Sequence, residues 1–407
     1  MTNEQMLLLE LMKKAIKGQH LQALPQQPVD WLRLWQEACD QTVPILAYEV
    51  LSPVQEQLFQ QAPALAEAML CALTELGHNA QVEQSQAELV KALEKLLCPY
   101  VILKGNASAR YYPDPALRTL GDVDVLIPWG QVSQVAREMS RYGYVLLDKY
   151  APHHKTLRKG ALVIELHREL GGIPGGTDRE AVERYLEDIY TQAKPLQTQS
   201  GTCMVAAEKH HALNLVLHML YHVEEYGFGL RHLMDWACFV DRTADKPFWD
   251  GLLVLLRQIG LLRFTAVMTK MSAVYFDSFC PAWAEAVEED LCRDMMQDIL
   301  SGGNFGRKDQ DRARSATMLP DWSSGSREGK IKRMYKDLRK YILLEKPELE
   351  HRPVILAVHM LYRTVRFAVL YVQGKRPNLV RAAAIAEQRK SVYERLCLHQ
   401  KSREQEE

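Results

Sequence analysis

Two aspartates stand two residues apart in Gly121-Asp122-Val123-Asp124-Val125-Leu126-Ile127. The apolar and β-branched residues around them predict a strand, and residues i and i+2 of a strand share a face. Both carboxylates therefore converge on one point while Val123 and Val125 turn toward a core. Paired hard oxygen donors suit a magnesium ion bound to phosphates, with positions left for water and substrate oxygens. Two solvent-facing acids on a half-exposed strand would show the same spacing, so the neighbours decide. Upstream, Leu103-Lys104-Gly105-Asn106 ends one extended run and opens a helix, which puts a side-chain-free backbone and a helix N-terminus where a polyphosphate can sit. Downstream, Glu165 and His167 share a face of Val163-Ile164-Glu165-Leu166-His167 and bring a third carboxylate to the same place. Between them Arg118 lies in the loop from Tyr112 to Arg118, with a planar fork that suits phosphate oxygens. Lys104 is either a second phosphate contact or a solvated charge at a strand end.

The elements that must hold these residues can be read from periodicity. A strand at about 100–104 is followed by a short helix at about 105–112, a strand at about 122–127 and a helix at about 129–142. Three strands come next, at Tyr144 to Leu147, His154 to Leu157 and Leu162 to His167, the last two joined by the turn Arg158-Lys159-Gly160. Residues 1–97 are helical, with Leu7, Leu8, Leu11 and Met12 on one stripe and Leu89, Leu93 and Leu97 on another. After Gly171-Gly172 and Gly175-Gly176 helical patterns resume from Asp178, the strongest running from Ala206 to Glu225. Residues 301–329 are rich in glycine, serine and charge, and 330–407 form a basic helical tail. The expected organisation is a helical region at 1–97, an α/β core at 98–200, a cleft-closing helical domain at 201–300, a loop at 301–329 and the tail.

Composition narrows the class. Of 407 residues 47% are hydrophobic and 25% charged, which excludes disordered, collagenous and disulfide-scaffold chains and allows two or three domains. The 50 basic residues nearly balance 51 acidic ones, but residues 327–407 hold 19 basic against 10 acidic, so an acidic body precedes a basic tail. Glu4 and Glu10 flank the apolar run Met6 to Leu9, unlike a signal peptide, and the most apolar window, Val354 to Val372, is interrupted by His359, Arg363 and Arg366. The eight scattered cysteines form no CxxC pair. Together these features predict a soluble cytoplasmic protein with reduced thiols.

The ordered set Leu-Lys-Gly at 103–105, Arg-x-x-Gly-Asp-Val-Asp-Val-Leu at 118–126 and Ile-Glu-Leu-His-Arg-Glu-Leu at 164–170 resembles the uncharacterised nucleotidyltransferase family of the polymerase-beta superfamily. The resemblance implies an α+β fold: a small polymerase-beta-like α/β core with a mixed sheet, embedded in a mainly helical protein. It further implies that Gly105 and Asn106 match the phosphate-side turn, with Asn106 where the pattern has glycine or serine. Asp122 and Asp124 match the paired metal ligands, and Glu165 the third carboxylate, for Mg2+ or Mn2+. In that mechanism the ions bridge the phosphates of a nucleoside triphosphate, ATP first among them, while Glu165 completes a metal site or takes a proton from an acceptor hydroxyl.

On the helix from 206 to 225, His211, His218 and His222 share a stripe with Asn214. The stripe can line an acceptor cleft together with His167, or it can be core. His218 and His222 also have zinc-ligand spacing, although Met219 stands where a HExxH helix needs glutamate. Arg231 and Asp235, in a segment that resembles the family's helical half, help to close the cleft or form a surface ion pair. Gly302 to Lys308 is a flexible, phosphate-friendly sequence, but a helix-terminating loop needs the same glycines and is the simpler reading. The tail interleaves arginines with Tyr362, Phe367 and Tyr371, which allows contact with an acidic partner, RNA or a membrane surface, a solvated helical face being the simpler account. Two functions compete: magnesium-dependent transfer of a nucleoside monophosphate to a hydroxyl of a small molecule, sugar or protein, and a non-catalytic regulatory or scaffold role on the same fold. Three mutually repelling acids favour the first. A D-x-D glycosyltransferase is disfavoured because the residues before the motif offer no βαβ nucleotide-binding half.

Overall fold

In a computed structural model of the chain, residues 1–147, 154–173, 178–224 and 227–308 are described, and beyond them residue 335, 338–339, 342–343, 346–372 and 379–396. The N-terminal region is helical, as its periodicity predicts. Helix α1 (Asn3–Ile16) starts at a capping box, in which Thr2 Oγ1 accepts from Gln5 N–H at 3.3 Å and Gln5 Oε1 from Thr2 N–H at 3.0 Å. Then follow α2 (Trp31–Asp40), α3 (Pro44–Leu51), α4 (Gln55–Gln61) and α5 (Ala64–Lys95). The 32 residues of α5 span about 48 Å. Its first half packs with the other N-terminal helices, and its second half, through Leu89 and Leu93, lies against the sheet.

Strand β1 (Val101–Ile102) leads through α6 (Asn106–Ala109) to β2 (Val123–Leu126), then α7 (Val132–Ser140), β3 (Val145–Leu147), β4 (His154–Lys159) and β5 (Leu162–His167). After α8 (Arg179–Leu186) a hairpin, β6 (Lys194–Thr198) and β7 (Gly201–Val205), completes a seven-stranded mixed sheet in the order β3-β4-β5-β2-β1-β7-β6. The hairpin lies where only helix was expected after Asp178, and β7 pairs in parallel with β1. The fold is thus α+β, a mixed sheet inside a mainly helical protein. The alternation expected of β2 and β5 is what separates core from site. Val123, Val125, Ile164 and Leu166 join a core with Val135 and Met139 of α7, whereas Asp124, Glu165 and His167 face the other way.

That other face is covered by the second helical body. It comprises α9 (Glu208–Glu224), α10 (Leu230–Thr243), α11 (Phe248–Gln258), α12 (Leu262–Phe276), α13 (Ala282–Glu285) and α14 (Glu289–Gly302). These helices share one core with α1 to α5, to which Val101, Leu103 and Leu126 of the sheet also belong. Gly172 allows the chain to cross α9 closely: at φ +82° its hydrogen stands where a Cβ would come within 2.3 Å of the Leu217 carbonyl oxygen. In the C-terminal part, α15 (Pro353–Val372) exposes Val354, Val358, Leu361 and Val365, and α16 (Leu379–Arg395) docks on the end of α9, where Arg389 and Tyr393 both donate to the Val223 carbonyl. Among the described residues every cysteine is a free thiol, and no helix is long and apolar enough to cross a membrane. Most of the expected 301–329 loop, from 309 on, lies outside the described residues, as do Gly175, Gly176, Lys375 and Arg376.

Candidate active site

Asp124 and Glu165 are direct register partners on the parallel strands β2 and β5, so their side chains project side by side. Asp122 lies exposed just before β2, near enough to interact with the charges of Asp124, Lys104 and Glu165. Two cations hold the acids together. Lys104 Nζ lies 2.9 Å from Asp124 Oδ1, and His167 Nε2 bridges the pair, 2.9 Å from Asp124 Oδ1 and 3.3 Å from Glu165 Oε2. His154, directly across from His167 in the β4–β5 ladder, puts its Nε2 3.5 Å from Glu165 Oε1.

The electrostatics follow from this crowding. Asp122 is pushed up to about 6, first by the neighbouring Asp124 carboxylate and then by the protein around it, with Lys104 pulling the other way. Asp124 is 2% exposed; burial opposes its charge, but Lys104 and His167 overcome that and hold it well below the usual carboxylate range. Burial likewise opposes charge on His167, and its bonds to Asp124 and Glu165 raise it to about 9. Lys104 is raised by Asp124 and Asp122 against the cost of its burial. Acids drawn together around Lys104 and His167 suit a divalent cation, and Asp124 and Glu165, with His167, offer ligand atoms within 4.8 Å of one another.

Other expected residues go elsewhere. Gly105 turns at φ +60° directly after Lys104, the left-handed conformation glycine permits at the strand-to-helix junction. The side chain of Asn106, however, is buried against α5, donating to Gln86 Oε1 at 3.4 Å, and does not join the acids. Arg118, expected at phosphate, is bound instead by Asp235 of α10, with Nε to Oδ1 at 2.7 Å and Nη2 to Oδ2 at 2.6 Å, while Tyr112 Oη donates to the same carboxylate at 2.8 Å. Arg118 is 5% exposed, so Asp235 is the partner of a buried clamp and not of a surface pair with Arg231. Arg231 reaches Thr119 O at 3.4 Å, has no partner at Nε, and lies within the field of Asp122.

The histidine stripe divides. His211 is fully buried, stacked on Tyr111 with ring centroids 5.5 Å apart, beside Phe239 and Ser108. It is a core residue and does not line a cleft with the others. His218, half-buried, accepts from Lys104 Nζ at 3.2 Å, and His222 Nε2 is 3.0 Å from His218 Nε2. His232 of α10 completes this group. Burial, with Lys104 next, drives His222 down to about 3, and His218 and His232 also fall well below the usual imidazole range. Sequence reading did not single out His154 or His232.

A glycine turn between β1 and α6, acids paired across β2 and β5, and helices closing the same face define a nucleotidyltransferase-type α/β unit. The model of the family described as uncharacterised nucleotidyltransferase matches residues 27–277, and the chain belongs to that family, which places it among enzymes of nucleotidyl transfer. No curated protein matches it. Among solved structures it is similar to an antigenic nucleotidyltransferase-like protein from Paracoccidioides brasiliensis, at 16% identity and a TM-score of 0.28, over 46% of this chain and 88% of that one.

Proposed function

We propose that the protein moves a nucleoside monophosphate from a nucleoside triphosphate, ATP first among them, to a hydroxyl of a small molecule, sugar or protein, with Mg2+ or Mn2+ held by Asp122, Asp124 and Glu165. The observation that carries this reading is the register pairing of Asp124 with Glu165, with Asp122 two residues ahead and within reach of their charges. The ion, when bound, neutralises charge on the phosphates and on the leaving pyrophosphate. Lys104 then turns from Asp124 to a phosphate oxygen, a short movement for a flexible side chain. Arg231 takes the phosphate role first expected of Arg118, because its Nε is unpartnered whereas the fork of Arg118 is spent on Asp235. Glu165 lies on the acceptor side with His167, whose Nε2 can hold a proton between the two carboxylates.

The same ion pairs suit a protein that keeps the fold for binding alone, since Lys104 already neutralises Asp124. The test is incubation with each α-labelled triphosphate, magnesium or manganese and a cell extract. Label carried to a product by the wild type and not by Asp124→Asn is the expected result. No transfer with any triphosphate or ion would leave the binding-only role.

A further inference from the structure

Beyond Lys104, on the side away from the acids, three imidazoles crowd together. His218 and His222 stand one turn apart on α9 and His232 comes from the first turn of α10, and their ligand nitrogens all lie within 4.8 Å of one another. The ring centroids are 4.4 Å apart for His218 and His222, 4.5 Å for His222 and His232, and 5.1 Å for His218 and His232.

Hydrogen bonds do not satisfy this group. A neutral imidazole has one N–H and one lone pair, while an ammonium has donors only. Lys104 at 3.2 Å claims the lone pair of His218 Nε2, and His222 Nε2, at 3.0 Å, meets the same nitrogen. Whichever proton arrangement holds, one contact is spoiled. His222 Nδ1 has no partner although the residue is only 4% exposed. His232 Nδ1 accepts from Gly229 N–H at 3.3 Å, which leaves Nε2 of a residue 2% exposed without an acceptor. Buried polar groups are left orphaned at a cost, and a centre that takes the lone pairs of His218 Nε2 and His222 Nε2 removes the clash between those two nitrogens.

We propose that His218, His222 and His232 form a second metal site, a three-imidazole site for a divalent transition ion, best suited to Zn2+. An all-nitrogen donor set suits Zn2+ and is foreign to Mg2+, which requires oxygen. Zinc–nitrogen bonds of about 2.0–2.1 Å place tetrahedral ligands about 3.4 Å apart, between the 3.0 Å contact and the 4.8 Å limit of this group. The i, i+4 pair on one helix face is the spacing by which one helix supplies two ligands. The long Gly229 bond to His232 is exchanged for a metal bond, and Lys104 gives up His218. Phe228 stacks on His232 at 5.4 Å and Phe305 meets His222 edge-on at 5.0 Å, which limits water around the ligands. Three protein ligands would leave a fourth position open to water or another ligand.

The test uses the full chain, stripped with a chelator and titrated with Zn2+ against a chromophoric competitor, with excess Mg2+ present to occupy the carboxylates. The expected result is one equivalent of Zn2+ that Asp124→Asn retains and that His222→Gln and His232→Gln each weaken by about 100-fold or more. Co2+ in the same site should give the intense visible bands of a four-coordinate centre. Circular dichroism checks that each variant is folded, and His218→Asn, at the half-buried ligand, serves if a buried variant is not. Failure of the folded wild type to bind Zn2+, equal affinity in the histidine variants, or loss of the Zn2+ equivalent in Asp124→Asn would each overturn the proposal.

Discussion

Replacing Asp235 with asparagine asks what Arg118 is for. The guanidinium is 5% exposed and Asp235 4% exposed, joined by bonds of 2.7 and 2.6 Å, with Tyr112 Oη donating to the same carboxylate at 2.8 Å. Asparagine keeps the shape and one acceptor but removes the charge, so the guanidinium stays buried without its counter-ion. Breaking a buried pair from one side costs about 3–5 kcal/mol. The Coulomb attraction of unit charges about 4 Å apart at an effective dielectric constant of about 20, about 4 kcal/mol, agrees with that range. The remaining amide acceptor argues for the lower end, about 3 kcal/mol, which in a folded unit of this size lowers Tm by about 6–12 °C. Urea unfolding gives the energy and a thermal melt the shift. Arg118→Lys, which keeps the charge and loses the fork, should fall between the variant and the wild type. In both variants Mg-ATP affinity of the folded protein should stay within about threefold of wild type, under about 0.7 kcal/mol. A melting shift below about 2 °C together with a tenfold loss of nucleotide affinity would refute the reasoning and return Arg118 to the phosphates.

Asp124→Asn should weaken Mg-ATP binding by at least about tenfold in calorimetry, and equal metal-dependent affinity in both proteins would sink the ligand assignment. Glu165→Gln should lower turnover by about 100-fold or more and weaken nucleotide binding far less; a matching loss of affinity would move Glu165 to the nucleotide side. Burial, with Arg110 and Arg118 next, holds His211 far below its unfolded value, so its contribution is present above about pH 6.5 and is lost as pH falls and the unfolded chain takes the proton. His211→Phe should therefore shrink the stability difference between pH 7.5 and pH 5.5 by on the order of 1 kcal/mol in urea melts, and an unchanged difference would contradict a neutral buried imidazole. Gly172→Ala should cost about 1–3 kcal/mol in thermal melts, because a Cβ there comes within 2.3 Å of the Leu217 carbonyl oxygen; a neutral result would mean that the crossing over α9 can shift.

The acid face was legible in the sequence because period-two alternation is a local property: Val123 and Val125 inside fix Asp124 outside, and Ile164 and Leu166 do the same for Glu165. Counting back from the Gly160 turn would also have found His154, since Lys159 opposite Leu162 puts His154 opposite His167. The β6–β7 hairpin was hidden by its composition, with Lys194 and Pro195 on a short edge strand and little apolar alternation. Arg118 and Asp235 are 117 positions apart, and no local pattern tells which acid a loop arginine will meet. Helical spacing shows which histidines share a stripe but not what each meets along its length. His211 and His218 share a direction yet stand about 10 Å apart along α9, enough for one to be sealed beside Tyr111 while the other reaches Lys104. His232 needed the angle between α9 and α10, which their sequences do not state.

The charges around the acids also bear on the order of binding. Three carboxylates, Asp122, Asp124 and Glu165, are met by two cations, Lys104 and His167, and the unbalanced remainder falls on Asp122, pushed up to about 6. A divalent ion arriving alone would overfill the site while Lys104 stays on Asp124, since the ammonium and the ion compete for the same oxygen. A nucleotide arriving alone would bring its phosphates against three acids. Arriving together, the ion takes the carboxylates and part of the phosphate charge while Lys104 turns to a phosphate oxygen, so each relieves the repulsion that the other would meet alone. On the proposed reading ion and nucleotide therefore bind with positive coupling, each raising the affinity for the other by the same factor, and Lys104 is the group through which that coupling passes.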